Sequence, residues 1–155
     1  MTNRRSSVVP TTVEAMALSV EERAQFLAEP NIGVLSVVEH ADRGPLSVPI
    51  WYQYTPGGSL WLRTGADSRK ARAIREAGRF SLVVERTRPT VRYVTVEGPA
   101  EFGEDSHDLS VEMAARYLAP DKVEAFLDYE RRYLGDHVVI SMRPERWLSL
   151  DMGAL

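Results

Sequence analysis

The chain has 155 residues, 44% hydrophobic and 26% charged, which describes a globular protein with one core and sets it apart from the disordered and membrane classes. Its net charge of −3 gives no general phosphate-binding surface, so nucleic acid is not an expected partner. With no cysteine, disulfides, thiolate catalysis and sulfur-ligated zinc are all excluded.

Residues 1–12 are polar, with Arg4, Arg5 and several hydroxyls, and are expected to form a flexible N-terminal arm. The stretch from Met1 to Pro10 lacks the apolar core of a secretory signal, and no apolar run approaches the roughly 20 residues that span a bilayer. A cytoplasmic protein without membrane partners is the expectation. Ser19 and Glu22 have capping-box spacing, predicting a helix from Val20 to Ala28 that Pro30 prevents from continuing.

Ile32 to Glu39 is rich in β-branched residues and reads as a strand, and Asp42-Arg43-Gly44-Pro45 reads as a turn. Leu46 to Tyr54 gives a second strand and Ser59 to Thr64 a third, separated by Pro56-Gly57-Gly58. Asp67 or Ser68 can cap a helix running to Ala77, which Gly78 stops. Strands follow at Phe80 to Glu85 and Val91 to Phe102. Helices are expected at about Asp108 to Leu118 and Pro120 to Leu134, before a last strand from His137 to Met142. About six strands without regular strand-helix alternation predict a mainly β (α+β) domain over 13–155, an antiparallel barrel with flanking helices.

Ser68-Arg69-Lys70 carries the clearest chemistry. It falls where a strand ending at Thr64 passes through a short loop into a helix, and unpaired amides and the helix dipole favour an anion there. A hydroxyl, a guanidinium fork and an ammonium together suit a phosphate dianion. Arg69, Lys70, Arg72 and Arg75 can also be read as the solvated face of an ordinary helix. Pro49, within Val48-Pro49-Ile50-Trp51, cannot donate to a ladder and marks an edge or bulge. Such an interruption leaves backbone groups free for the polar rim of a planar ring, or is a plain edge strand. Trp147 is equally a core anchor or a ring-stacking group.

His40, His107 and His137 lack metal-ligand spacing, and Glu104, Asp105 and Asp108 suit the electrostatics of a helix start, so no metal site is expected. Tyr52 and Tyr93 are possible proton donors, but a hydrogen-bonding role explains them as well and no catalytic residue is assigned.

Thr64 with Ser68-Arg69-Lys70, the run Tyr93-Val94-Thr95-Val96-Glu97-Gly98, and Pro144 to Trp147 resemble the pyridoxamine 5′-phosphate oxidase-like split-barrel proteins. The resemblance covers roughly residues 20 to 150. It implies a split barrel and a homodimer with cofactor sites at the subunit interface. Arg69 and Lys70 would hold the phosphate, and the ring would lie along Val48, Pro49, Ile50 and Trp51. Trp147 would come from the partner subunit. A flavin-type cofactor would carry the chemistry, which is consistent with the absence of a visible nucleophile.

Gln53 follows Trp51-Tyr52 where the true oxidases carry a basic residue, and no substrate clamp follows Trp147, so vitamin B6 oxidation is not implied. Arg63 stands where those oxidases have an aromatic residue, and Tyr93 where they have glutamine. The sequence is similar to the short actinobacterial branch, whose cofactor is FMN or the deazaflavin coenzyme F420. Arg63, Arg72 and Arg75 tip the choice toward the deazaflavin with its longer acidic tail. The implied activity is hydride transfer between that cofactor and a small organic substrate. The alternatives are a carrier or sensor of a flavin or haem, and a cofactor-free dimer serving as an interaction domain.

Overall fold

Ser19 opens the first helix, α1 (Val20–Ala28), through both halves of a capping box: its hydroxyl accepts from the Glu22 amide at 3.1 Å, and the Glu22 carboxylate accepts from the Ser19 amide at 2.9 Å. Phe26 and Leu27 bury themselves in the core from this helix. At its other end Arg116 donates to the carbonyl oxygens of Ala28 and Glu29, at 2.9 and 2.7 Å. The structure, a computed structural model, describes residues 16–154, and the expected arm over 1–12 lies outside them.

Strands β1 (Gly33–Val37) and β2 (Leu46–Ile50) form a hairpin. Sequence reasoning runs the second strand unbroken to Tyr54. Instead it breaks at Trp51, and β3 (Tyr52–Tyr54) takes a different partner, β4 (Leu60–Gly65). Helix α2 (Arg69–Ala77) follows, capped by Ser68 and stopped by Gly78, whose φ of 72° favours glycine. Strands β5 (Arg79–Arg86) and β6 (Arg92–Glu104) come next, then helices α3 (His107–Tyr117) and α4 (Pro120–Tyr133). Proline in the first turn of α4 sits where its missing amide is harmless. β7 (His137–Met142) is followed by a strand the sequence did not announce, β8 (Arg146–Asp151), and a short 3-10 turn at Met152–Ala154. Its Arg-Trp-Leu-Ser-Leu-Asp pattern shows no clean alternation of buried and exposed positions, and only pairing with β6 defines it.

The sheet order is β2-β1-β5-β6-β7-β4-β3, all antiparallel, with β8 on the first half of β6. Two lengths of chain belong to both halves of this sheet. β6 pairs with β8 over Arg92–Glu97 and with β7 over Ala100–Glu104. The chain from Leu46 to Tyr54 pairs with β1 before Trp51 and with β4 after it. The ends of the sheet are therefore joined covalently at Trp51, and the result is a mainly β split barrel flanked by four helices among the described residues. Leu35, Leu62, Leu82, Val94, Ile140 and Met142 fill its interior, each fully buried. Among the described residues no helix is long and apolar enough to cross a membrane.

Candidate functional site

Along β4 the side chains alternate, Leu60, Leu62 and Thr64 inward, Trp61 and Arg63 toward the opposite face. This alternation splits the segment that carries Ser68-Arg69-Lys70 into two different neighbourhoods.

The first is the start of α2. The Ser68 hydroxyl accepts from the Ala71 amide at 3.2 Å and lies 3.2 Å from the Thr64 hydroxyl, so Ser68 fixes the helix start. As the first helical residues, Arg69 and Lys70 have amides with no partner inside the helix, and no acidic residue stands in that first turn. Lys70 is half-buried and has no ion pair among the described residues. Arg69 is 61% exposed and forms a fork with Glu39, with contacts of 2.5, 2.8 and 3.2 Å. That hydrogen-bonded fork holds the Glu39 carboxyl below its usual range. Unpaired amides, an ammonium without an ion pair among the described residues and an exposed guanidinium held by a single half-buried carboxylate fit a phosphate, because pairs near the surface contribute about 0–1 kcal/mol and exchange readily.

The second neighbourhood is the opening of the barrel at Trp51. Helices α3 and α4 lie over it, and the Trp51 ring stacks on Tyr117 (centroids 4.9 Å apart, planes at 17°) and leans on Phe126 at 5.2 Å. The Tyr117 hydroxyl accepts from the Tyr52 amide at 3.1 Å and lies 2.9 Å from the carbonyl oxygens of Asn31 and Tyr52. α3 thereby fixes the backbone at the break. A cavity of about 380 Å³ remains between this stack and the strands, bounded by Ile32, Pro49, Ile50, Met113 and Phe126, with Arg63 and Glu130 as its polar members.

Arg63 and Glu130 also border a second cavity of about 400 Å³, lined by Asp105, His107, Asp136 and His137. Arg63 is 6% exposed at its side chain and donates to both Asp105 oxygens (2.7 and 2.6 Å) and both Glu130 oxygens (3.0 Å each). Burial opposes its charge, but these hydrogen bonds outweigh burial and hold the guanidinium protonated. For Asp105, burial pushes the carboxyl up and the Arg63 contacts overcome it, leaving the group below its usual value of 3.8. Burial likewise drives the Tyr52 phenol well above its ordinary range, and its hydroxyl donates to the Leu27 carbonyl at 2.7 Å, which fits a structural role.

The structure thus separates residues that the sequence groups together. Thr64, Ser68, Arg69 and Lys70 gather at the start of α2. Pro49, Ile50 and Trp51 line the barrel opening, and Val48 and Ile50 also pack partly against the core. Arg63, expected to serve an acidic tail, is already neutralised by two carboxylates. Trp147 lies on β8 against its own chain's core, with Tyr54 edge-on at 6.1 Å and the Arg23 guanidinium 4.7 Å from its ring. Sequence reasoning missed Tyr117, Phe126 and Glu130. The spacing of Met113, Tyr117 and Phe126 on predicted helices shows an apolar face without saying what it covers.

Over residues 19–151 the sequence matches the family model described as pyridoxamine 5′-phosphate oxidase. No curated protein matches significantly. Among solved structures, a conserved hypothetical protein from Mycobacterium tuberculosis is 29% identical, with a TM-score of 0.69 over 88% of this chain and 86% of its own. An F420 reductase is similar in fold at 22% identity and a TM-score of 0.61, covering 90% of this chain and 98% of that one. An FAD-binding protein from Mesorhizobium loti gives 20% and 0.62, over 87% and 94%. The family match spans the barrel, its Trp51 opening and the start of α2 alike, and on it this chain belongs to the pyridoxamine 5′-phosphate oxidase family.

Proposed function

We propose that the protein is a homodimeric oxidoreductase that holds coenzyme F420 or FMN and reduces a small organic acceptor. The observation that carries this reading is the start of α2, where Lys70, without an ion pair among the described residues, stands beside two amides that have no partner inside the helix. Lys70 and Arg69 would bind the phosphate, Arg69 by exchanging Glu39 for it, while Ser68 keeps the helix start rigid. The ring would reach the barrel opening near Pro49 and Trp51, beside the stack of Trp51 on Tyr117. When bound, the reduced cofactor supplies a hydride to the acceptor, which takes its balancing proton from water, and the cofactor is left oxidised.

The deazaflavin is the first choice. Arg63 does not contribute to it, and the exposed Arg72 and Arg75 on α2 are the charges left for an acidic tail. The name of the F420 reductase with the same fold supports that choice. A second copy of this chain suits the outer sheet face, where Pro49, Val34, Val83, Thr95 and Leu148 stand in register across five strands without a covering helix among the described residues. Val34 and Leu148 are 37% and 60% exposed there.

Titrating purified protein with each cofactor, followed by absorbance and by light scattering, tests the reading. Binding of one cofactor at micromolar concentration to a dimer is expected. Failure of both to bind would overturn it.

A further inference from the structure

The cavity of about 400 Å³ is lined by a histidine that neither the phosphate cradle nor the barrel opening uses. His137 opens β7 in register with Gly65 of β4, and its side chain is 11% exposed. Its Nδ1 lies 3.0 Å from the Gly135 carbonyl oxygen, and its Nε2 lies 3.4 Å from Glu130 Oε1. Both neighbours are acceptors. A neutral imidazole has a single N–H and satisfies one of them, leaving its other lone pair turned toward an oxygen. Only the doubly protonated ring makes both contacts, the second as an ion pair.

The surroundings supply a countercharge for that second proton. Glu130 and Arg131 face the cavity from α4, Asp105 from the loop after β6, His107 from α3, Arg63 from β4, and Asp136 from the residue before His137. Asp105 and Glu130 outnumber Arg63 by one negative charge, and all three side chains are at most 18% exposed. Arg131 is held by Asp128, and His107, Asp136 and the nearby Glu104 are exposed to water. His137 carrying two protons is thus the group placed to balance the buried excess.

The same turn of chain secures the cradle. The Asp136 carbonyl accepts from the Ala66 amide at 2.9 Å, and the Gly65 carbonyl accepts from the Ser68 amide at 3.0 Å. Ala66 and Asp67 are the whole link between β4 and the Ser68 cap of α2. A ring that grips Gly135 therefore also steadies the residues that set where α2 begins.

We propose that His137 is a positioning residue for the start of α2: with both ring nitrogens protonated it holds the Gly135-Asp136 turn against Ala66, and loss of one proton loosens that turn and weakens phosphate binding. The hold is complete in the protonated form and is lost as pH rises. Its effect on a cofactor rests on the oxidoreductase reading, whereas the link from His137 to Ala66 rests on the geometry alone.

Nuclear magnetic resonance on the full-length protein without cofactor, from about pH 5 to pH 8, tests the link. The His137 ring signal, assigned through the backbone, should titrate in that range. Protection of the Ala66 amide against hydrogen exchange should fall along with it, by about fivefold or more, while the Gly58 amide in the turn before β4 keeps its protection. In His137→Gln the Ala66 protection should no longer follow pH. FMN and coenzyme F420 are then titrated into parent and variant across the same range. FMN gains charge on its own phosphate there, so the reading is the difference: the parent should lose about fivefold in affinity relative to His137→Gln as pH rises. A ring that does not titrate, or an Ala66 protection that ignores its titration, would overturn the proposal, and both are read on the parent alone should the variant fail to fold. A bound cofactor with the same pH dependence in parent and variant would overturn it as well. If Ala66 follows His137 while neither cofactor binds, the link stands and the oxidoreductase reading falls.

Discussion

Arg63 and Arg69 belong to one strand-loop-helix segment, and their surroundings differ in nearly every respect. Arg63 is 6% exposed at its side chain and donates four hydrogen bonds to two carboxylates brought in by distant chain. Arg69 is 61% exposed and rests on one carboxylate from the loop after β1. A buried charge with its partners in place is part of the architecture, because removing either side strands the other in a poor solvent for ions. A surface charge on a loose partner is available to a ligand. Of the two, the arginine proposed for the phosphate is therefore the one on which the fold depends less.

The comparison breaks most visibly in stability. Arg63→Ala should cost about 3–5 kcal/mol by leaving Asp105 and Glu130 without their cation. Arg69→Ala should change stability by less than about 1 kcal/mol. Urea denaturation of the two variants measures both, and equal costs would erase the distinction. Binding should show the reverse order. Lys70→Ala is expected to weaken the bound cofactor by about 1.5–3 kcal/mol with an unchanged melting temperature, read by absorbance titration and calorimetry.

Acid sharpens the contrast further. Asp105 titrates below 3.8 in the folded protein, so its contribution is complete above that value and drains away as pH falls through the lower folded value. Melting temperature should therefore drop below about pH 4, and Asp105→Asn should flatten that drop while lowering stability at neutral pH. The smallest effect belongs to Glu39. Glu39→Gln removes the carboxylate that competes for Arg69 and should tighten cofactor binding by no more than about 1 kcal/mol. A weaker cofactor in that variant would mean that Glu39 supports the cradle instead of competing for it.

These two neighbourhoods also divide what the amino-acid order reveals. The cradle is written locally: the strand ending at Thr64, the cap at Ser68 and the stop at Gly78 lie within a few turns of chain, and short-range rules find them. The same is true of the capping box of α1 and of Pro120 at the start of α4. The barrel opening is written at long range. Arg63 meets Asp105 at a separation of 42 residues and Glu130 at 67, and no spacing rule reaches that far. Trp51 breaks its strand because β1 and β4 each claim one half of it, a competition between partners that Pro49 signals only as an irregularity. β8 and the placement of Trp147 depend in the same way on β6, which alone makes an ordered strand of a mixed polar and apolar tail.

β6 and β7 are adjacent antiparallel strands whose last pair is Glu104 with Val138, so a tight turn would suffice to join them. The chain instead makes an excursion through α3 and α4, and that excursion supplies Asp105 and Glu130 as well as Met113, Tyr117 and Phe126. Grafting another excursion onto this barrel would be topologically simple and electrostatically demanding. Any replacement must bring its own carboxylates to Arg63, or arrive together with an uncharged residue at that position.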